Sequence, residues 1–272
     1  MTAQPALTDL DTLAQRRARA TAKGMFLQQA AADEIEDRLA MVNKSFTAAA
    51  VVAAFPDVWA NVLPAATIIP DTEVLPLETG AHDLIIHAMA LHWANDPVGQ
   101  LIQCKRALRP DGLCHAVALG GQTLNELRSC LGQAEVAVTG GLSPRIAPMA
   151  ELRDLGGLLQ RAGFALPVAD SLPLTVEYTD AWHLMRDLRH MGEGNALSSR
   201  LRRPTARAVF ERAADLYQTH FSNDSGRITA TFDLIFLTGW APDESQPKPL
   251  RPGSAQQRLA TALNTDETRL PD

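Results

Sequence analysis

Short apolar runs alternate along this chain with stretches in which apolar residues recur every three or four positions, and that alternation leaves few folds open. The runs are Ala48 to Ala53, Ala66 to Ile69, Asp83 to Met89 and Leu113 to Leu119. At four to seven residues each suits a strand covered on both faces better than a helix. Between them lie helical stretches. Leu27, Ala31, Ile35, Leu39 and Val42 share one helical face, Asp57 to Leu63 follows Pro56, and Val98, Leu101, Ile102 and Leu108 precede the stop Arg109-Pro110-Asp111-Gly112. Parallel strands need helical crossovers, so the pattern predicts an α/β fold, a mostly parallel sheet with helices on both faces.

The second half continues the alternation and then changes it. Gly120-Gly121 closes a strand, and Thr123 with Glu126 predicts a capping box for a helix that buries Leu124, Leu127, Leu131 and Ala134. After a loop over 139–148, Leu152, Leu155, Leu159 and Ala162 predict a helix that Gly163 ends in a left-handed conformation. Phe164 to Ala169 and Leu172 to Tyr178 read as two strands, Asp180 to Met191 as a helix with Trp182, Met185 and Leu188 inward, and Ala206 to Tyr217 as another. Arg227 to Trp240 alternates through Ile228, Phe232, Leu234 and Phe236 and has no helix after it, which predicts a last strand lying antiparallel. The expected organisation is a flexible N-terminus over 1–24, one domain over 25–240 and a disordered tail over 241–272. That tail carries Pro242, Pro247, Pro249 and Pro252, with at most a short turn at Leu259 to Leu263.

Composition narrows the function classes. A net charge of -6 argues against a broad nucleic-acid footprint, so no nucleic-acid partner is expected. The basic group Arg200, Arg202, Arg203 and Arg207 reads either as a solvated helix start or as a contact for an acidic partner. The run Leu84 to Trp93 is too short to cross a bilayer, so no membrane span is expected. Arg16, Arg17 and Arg19 among alanines faintly resemble a transit peptide, against which Asp9 and Asp11 count, and a cytoplasmic location is expected. Cys104, Cys114 and Cys130 lack zinc or redox spacing and suit a reducing compartment, with Cys114 read as core packing, and no histidine spacing suggests a metal.

Several segments carry a resemblance. Ile68-Ile69-Pro70-Asp71-Thr72-Glu73-Val74-Leu75-Pro76-Leu77, His82-Asp83-Leu84-Ile85-Ile86 and Ala90-Leu91-His92-Trp93-Ala94-Asn95-Asp96 resemble the centre of class I S-adenosylmethionine-dependent methyltransferases. Gly120 to Arg128, Gly141-Leu142-Ser143-Pro144-Arg145-Ile146-Ala147-Pro148, Asp187 to Asn195 and Thr238-Gly239-Trp240 are similar to two groups within that superfamily. One is the malonyl-carrier-protein methyltransferases of biotin synthesis. The other, more similar, is the complex I assembly-factor family of arginine hydroxylases. The resemblance covers about residues 26–240. It implies a Rossmann-like fold, S-adenosylmethionine as cofactor, and a protein partner such as a respiratory complex I subunit.

The chain departs from that family where cofactor binding begins. The family's first strand ends in a glycine-rich turn, because residues without a Cβ let backbone approach the ligand. Here the stretch is Val51-Val52-Ala53-Ala54-Phe55-Pro56, and no glycine occurs between Gly24 and Gly80. Only 14 positions, Ala53 to Ala66, separate the first strand from the strand before Asp71. One crossover needs at least about 10 to 12 residues, so two do not fit. The second strand, with its ribose-binding acid, and one helix are therefore expected to be missing, placing the strand before Asp71 directly beside the first.

The resemblance supplies the candidate site. Asp71 matches the position near the cofactor adenine and is otherwise a turn-forming Asp after Pro70. His92 and Trp93 match the segment bordering the pocket and are otherwise a core-capping Trp with a hydrogen-bonded His. Arg128, Arg145, His183 and His190 are candidates for a substrate or partner groove, against a plainer reading as surface ion-pair residues. Asp96 before Pro97 reads as a helix cap. Two functions stay open: a cofactor-poor relative kept as a partner-binding or assembly protein, and an active methyltransferase or hydroxylase acting on a protein or carrier-bound acid.

Overall fold

The computed structural model describes residues 6–247. The sheet has six strands in the order β2-β1-β3-β4-β6-β5. These are β1 (Ala49–Ala53), β2 (Thr67–Ile69), β3 (His82–Ala88), β4 (Leu108–Gly120), β5 (Ala165–Tyr178) and β6 (Ile228–Trp240). β1, β2, β3 and β4 pair in parallel, while β6 runs antiparallel between β4 and β5.

β2 lies directly beside β1, in register from Ala50–Thr67 to Val52–Ile69. The only crossover between them holds the four-residue helix α3 (Pro56–Trp59). The short spacing thus removes a strand and a helix from the amino-terminal half of the sheet, as chain length requires.

Alternation along the strands divides the core in two. Val51, Leu84, Ile86 and Val117 face α2 (Phe26–Met41), α5 (Asn125–Thr139), α7 (Ala181–His190) and α8 (Arg207–Phe221). Ala50, Val52, Ile85 and Cys114 face α4 (Pro97–Ala107) and α6 (Leu152–Ala162). Burial on both faces is why these strands read as continuous apolar runs. Gly163 closes α6 at φ +82°, the left-handed cap that its sequence position predicts.

Four local expectations are corrected. The flexible lead-in drawn over 1–24 is, from Thr8 onward, folded against the domain. α1 (Leu10–Arg17) is capped by Asp9, buries Leu13, and is preceded by a bridge between Thr8 and Leu197. Its apolar residues are too few for periodicity to reveal it. The two strands expected over 164–178 are one, because Pro167 and Pro173 sit on an edge strand that tolerates a missing donor. The capping box at Thr123 does not form. Leu124 takes a left-handed φ of 55°, Thr123 Oγ1 donates to Gly120 O (2.7 Å), and Glu126 turns to Thr231. On α7 the buried residues are Ala181, Leu184 and Leu188, while Trp182 is 41% exposed beside Phe210.

The folded unit runs to Pro242. In the stretch that follows, Gln246 N–H donates to Asp243 O (3.3 Å). The expected tail and the turn at Leu259 to Leu263 otherwise lie outside the described residues. Among those residues no helix is long and apolar enough to cross a membrane.

Candidate functional site

Open parallel sheets bind ligands beyond the carboxyl ends of their strands. Two of the chain's non-glycine residues with positive φ stand there, Met89 (φ 48°) after β3 and Leu124 (φ 55°) after β4. Such strain persists only where surrounding contacts fix it. Met89 N–H donates to Val117 O (2.9 Å), and Leu124 N–H to Thr231 O (2.8 Å).

On the β1 side the chain itself fills most of the space, leaving a smaller cavity of about 370 Å³ lined by Asp71, Ala90 and Trp93. β1 leads through Ala54 and Phe55 straight into α3. Val58 N–H is bonded to Phe55 O and Ala60 N–H to Pro56 O, and Pro56 has no N–H. Trp59 is fully buried and donates to Gln28 Oε1 (3.0 Å). Asp71 is held by Arg17 of α1 at 2.5 Å, both side chains largely buried. The segment after Asp71 is tied to α4 by Gln100 Nε2 with Thr72 O (3.1 Å) and Leu75 N with Gln103 Oε1 (2.7 Å), and Gln100 Oε1 also meets His87 Nε2 of β3 (2.7 Å).

His92 and Trp93 converge on Glu193. Trp93 Nε1–H donates to Glu193 Oε2 (2.8 Å), and His92 Nε2 lies 3.3 Å from the same oxygen. Leu119 N–H reaches His92 Nδ1 at 3.4 Å. Burial alone pushes the Glu193 carboxyl up. His92, Arg17 and the Trp93 N–H outweigh it and hold that carboxyl below its ordinary range. Glu193 is thus a buried anion bridging the sheet to the segment after α7. Single-sequence reading misses it, since its partners lie a hundred residues away. The available signal was its place in Gly192-Glu193-Gly194, whose two flanking glycines pack closely against α1. A Cβ on Gly192 (φ +80°) would meet Arg17 Cα at 3.1 Å and Phe55 Cζ at 3.2 Å. A Cβ on Gly194 would meet Arg16 Cδ at 3.1 Å.

On the β4 side a cavity of about 670 Å³ remains open. Leu124, Leu127, Leu131, Met149, Met185 and Phe210 give it an apolar wall, and arginines stand around it. Of the four groove candidates only Arg145 lines it, and that guanidinium is engaged. It makes a bidentate pair with Glu135 (3.0 and 2.6 Å) and donates to Thr205 Oγ1 (2.8 Å). The Arg145 hydrogen bonds, working against burial, bring Glu135 down to about 2. Arg128 lines a smaller neighbouring cavity and donates to Ala147 O (3.4 Å). His183 is exposed, with Nδ1 3.0 Å from Thr179 Oγ1. His190 packs its backbone on Thr21 and Gly24. The structure therefore joins His92 and Trp93 through Glu193, sets Asp71 beside Trp93 on a smaller cavity with Arg17 as its counter-ion, and leaves both later histidines out of the larger one. Asp96 is the cap expected of it, accepting from Gly99 N–H (2.8 Å). Of the basic group, Arg200 pairs with Asp9 (2.8 Å) and Arg207 with Glu211 (2.8 Å), and the first three residues precede α8 instead of opening it. Among the described residues no cluster could hold a metal ion.

A profile described as "Methyltransferase domain" matches residues 53–116. The arginine-hydroxylase NDUFAF5, mitochondrial, of Danio rerio is 38% identical over 201 residues, 73% of this chain and 61% of that protein. The malonyl-[acyl-carrier protein] O-methyltransferase of Laribacter hongkongensis is 34% identical over 177 residues, 65% of this chain and 57% of that protein. The chain belongs to the class I methyltransferase superfamily. It spans only those shares of its relatives, so their activities are not transferred with the family. The phosphoethanolamine N-methyltransferase 2 of Haemonchus contortus overlaps this class I methyltransferase fold loosely, at a TM-score of 0.42 and 10% identity over 80% of this chain and 53% of that one.

Proposed function

We propose that this chain is a degenerate class I methyltransferase that serves as a partner-binding or assembly protein. A respiratory complex I subunit is the partner suggested by its resemblance to complex I assembly factors. One observation carries the reading. β1 runs directly into α3, where the Val58 and Ala60 amides are spent on Phe55 and Pro56 and Trp59 fills the space behind. The residues present do not fit an S-adenosylmethionine nucleoside. The turn has no glycine, and the strand that would carry a ribose-binding acid is absent. Asp71 already has a counter-ion in Arg17. Without the nucleoside the reacting methyl is not positioned, and positioning is worth up to roughly 7–11 kcal/mol of a barrier.

The second reading, an active methyltransferase or hydroxylase acting on a protein or carrier-bound acid, draws on the 38% identity to an arginine-hydroxylase. The compartment follows the partner. A cytoplasmic location is the reading from sequence, against relatives named as mitochondrial, and three free buried cysteines suit a reducing environment in either case.

Calorimetry with S-adenosylmethionine and S-adenosylhomocysteine tests the proposal. No heat of binding is expected up to roughly 1 mM, a free energy of about -4 kcal/mol. Micromolar binding by either compound would restore the enzyme reading.

A further inference from the structure

The open cavity beyond β4 has the wrong charge for an arginine side chain and the right one for an anion. Six arginines line it, Arg16, Arg145, Arg189, Arg200, Arg202 and Arg203, with Glu193 as the one acid, and that acid is already bonded to Trp93. Arg145 is neutralised by Glu135, while Arg200 and Arg202 share Asp9. Among the described residues Arg16, Arg189 and Arg203 have no acidic partner. Arg16 is fixed where it stands, its stem lying across Gly194 and its Nε buried without a hydrogen-bond partner. Burial first, then Arg19, Arg200 and Arg189, all disfavour its charge. Like charges held together around a concavity create a field that selects an anion and repels a cation.

The rest of the lining is mostly apolar, built by leucines of α5 with Met149, Met185 and Phe210. A free inorganic anion would leave that wall wet. A cavity of about 670 Å³ is of the size that takes a small molecule. We propose that it binds an amphiphilic anion, an apolar chain bearing a carboxylate or phosphate head, with the head on Arg16 and Arg189 and the chain along α5. Arginine forks match both heads in planar, bidentate geometry. The inference does not depend on the cofactor, because this cavity shares only Trp93 with the smaller one beside Asp71. S-adenosylmethionine binding, if found, would sink the scaffold reading and leave this one standing.

The test is calorimetry on the full chain with octyl phosphate, octanoate, neutral octyl glucoside and inorganic phosphate, all below micelle-forming concentrations. At least one octyl anion is expected to bind at roughly 100 µM or tighter, the scale for a ligand of this size. The tighter of the two identifies the head. Octyl glucoside and inorganic phosphate are expected to bind at least roughly tenfold more weakly, lacking either the charge or the chain. In the double variant Arg16→Gln, Arg189→Gln, with an unchanged melting temperature, the anion's affinity should fall roughly tenfold or more. Silence from both anions, equal binding of the neutral or chainless probe, or undiminished binding to the double variant would overturn the proposal. Should that variant not fold, Arg203→Gln at the exposed rim takes its place, and an unchanged affinity there counts against the proposal equally.

Discussion

The two halves of the sheet's carboxyl edge have been treated in opposite ways. Over β1 the chain closes on itself, with Trp59 filling the interior, and beside β2 only a smaller cavity of about 370 Å³ is left, where Arg17 of α1 holds Asp71. Over β4 a cavity of about 670 Å³ stays open, with arginines that lack partners. A domain that has lost a strand and a helix must rebury what they covered, and residues of its own supply that cover. Where no element was lost, no such pressure closes the space. The closed half is accordingly chiefly a matter of stability, and the open half is where a ligand has the most room.

Three perturbations break or sharpen this contrast. The largest effect is expected from Trp59→Ala, which empties the closed half. Truncating a fully buried Trp costs about 3–5 kcal/mol, read as a lower urea midpoint with an unchanged slope. A loss below about 1 kcal/mol would mean that half is not packed as described. Next is Asp71→Ala. If Asp71 is a structural counter-ion, its removal strands Arg17, whose Nε and Nη2 already lack partners, and costs roughly 2 kcal/mol. If Asp71 serves a nucleoside instead, stability should hold while any S-adenosylmethionine affinity drops. The smallest effect tests the rim of the open half. The Arg145 hydrogen bonds lower Glu135 from the ordinary 4.5 to about 2, so the pair's contribution is complete above 4.5 and is lost as pH falls toward 2. At neutral pH Glu135→Gln, which keeps the side chain's shape and an acceptor oxygen, should cost about 1 kcal/mol, and it should flatten the acid limb of stability against pH. An acid limb as steep as the parent's would place the pH dependence elsewhere.

Much of this was legible in the sequence for a physical reason. Every strand buried on both faces had to be an apolar run, and each crossover had to span its neighbour, so the missing strand could be counted from Ala53 to Ala66. The antiparallel last strand followed from its alternation and the absence of a helix after it. The candidate site was legible only in part. His92 and Trp93 meet on Glu193, a partner that neighbours along the chain do not reveal, and Asp96 caps its helix. His183 and His190 stand apart from the cavity, because helical phase on α7 turns Leu184 and Leu188 inward instead. Neither α1 nor the failed capping box at Thr123 could be foreseen, since a tertiary hydrogen bond from Leu124 to Thr231 competes with the local one.

Periodicity, spacing and the absence of glycine determined the fold class, the shortened sheet and the loss of a glycine turn, because these depend on neighbours along the chain. What meets across the chain was decided only by folding. Arg17 met Asp71 over 54 positions, Glu193 met Trp93 over 100, and the unpaired arginines gathered about one cavity. Charge acts through space, and a sequence does not contain the distances.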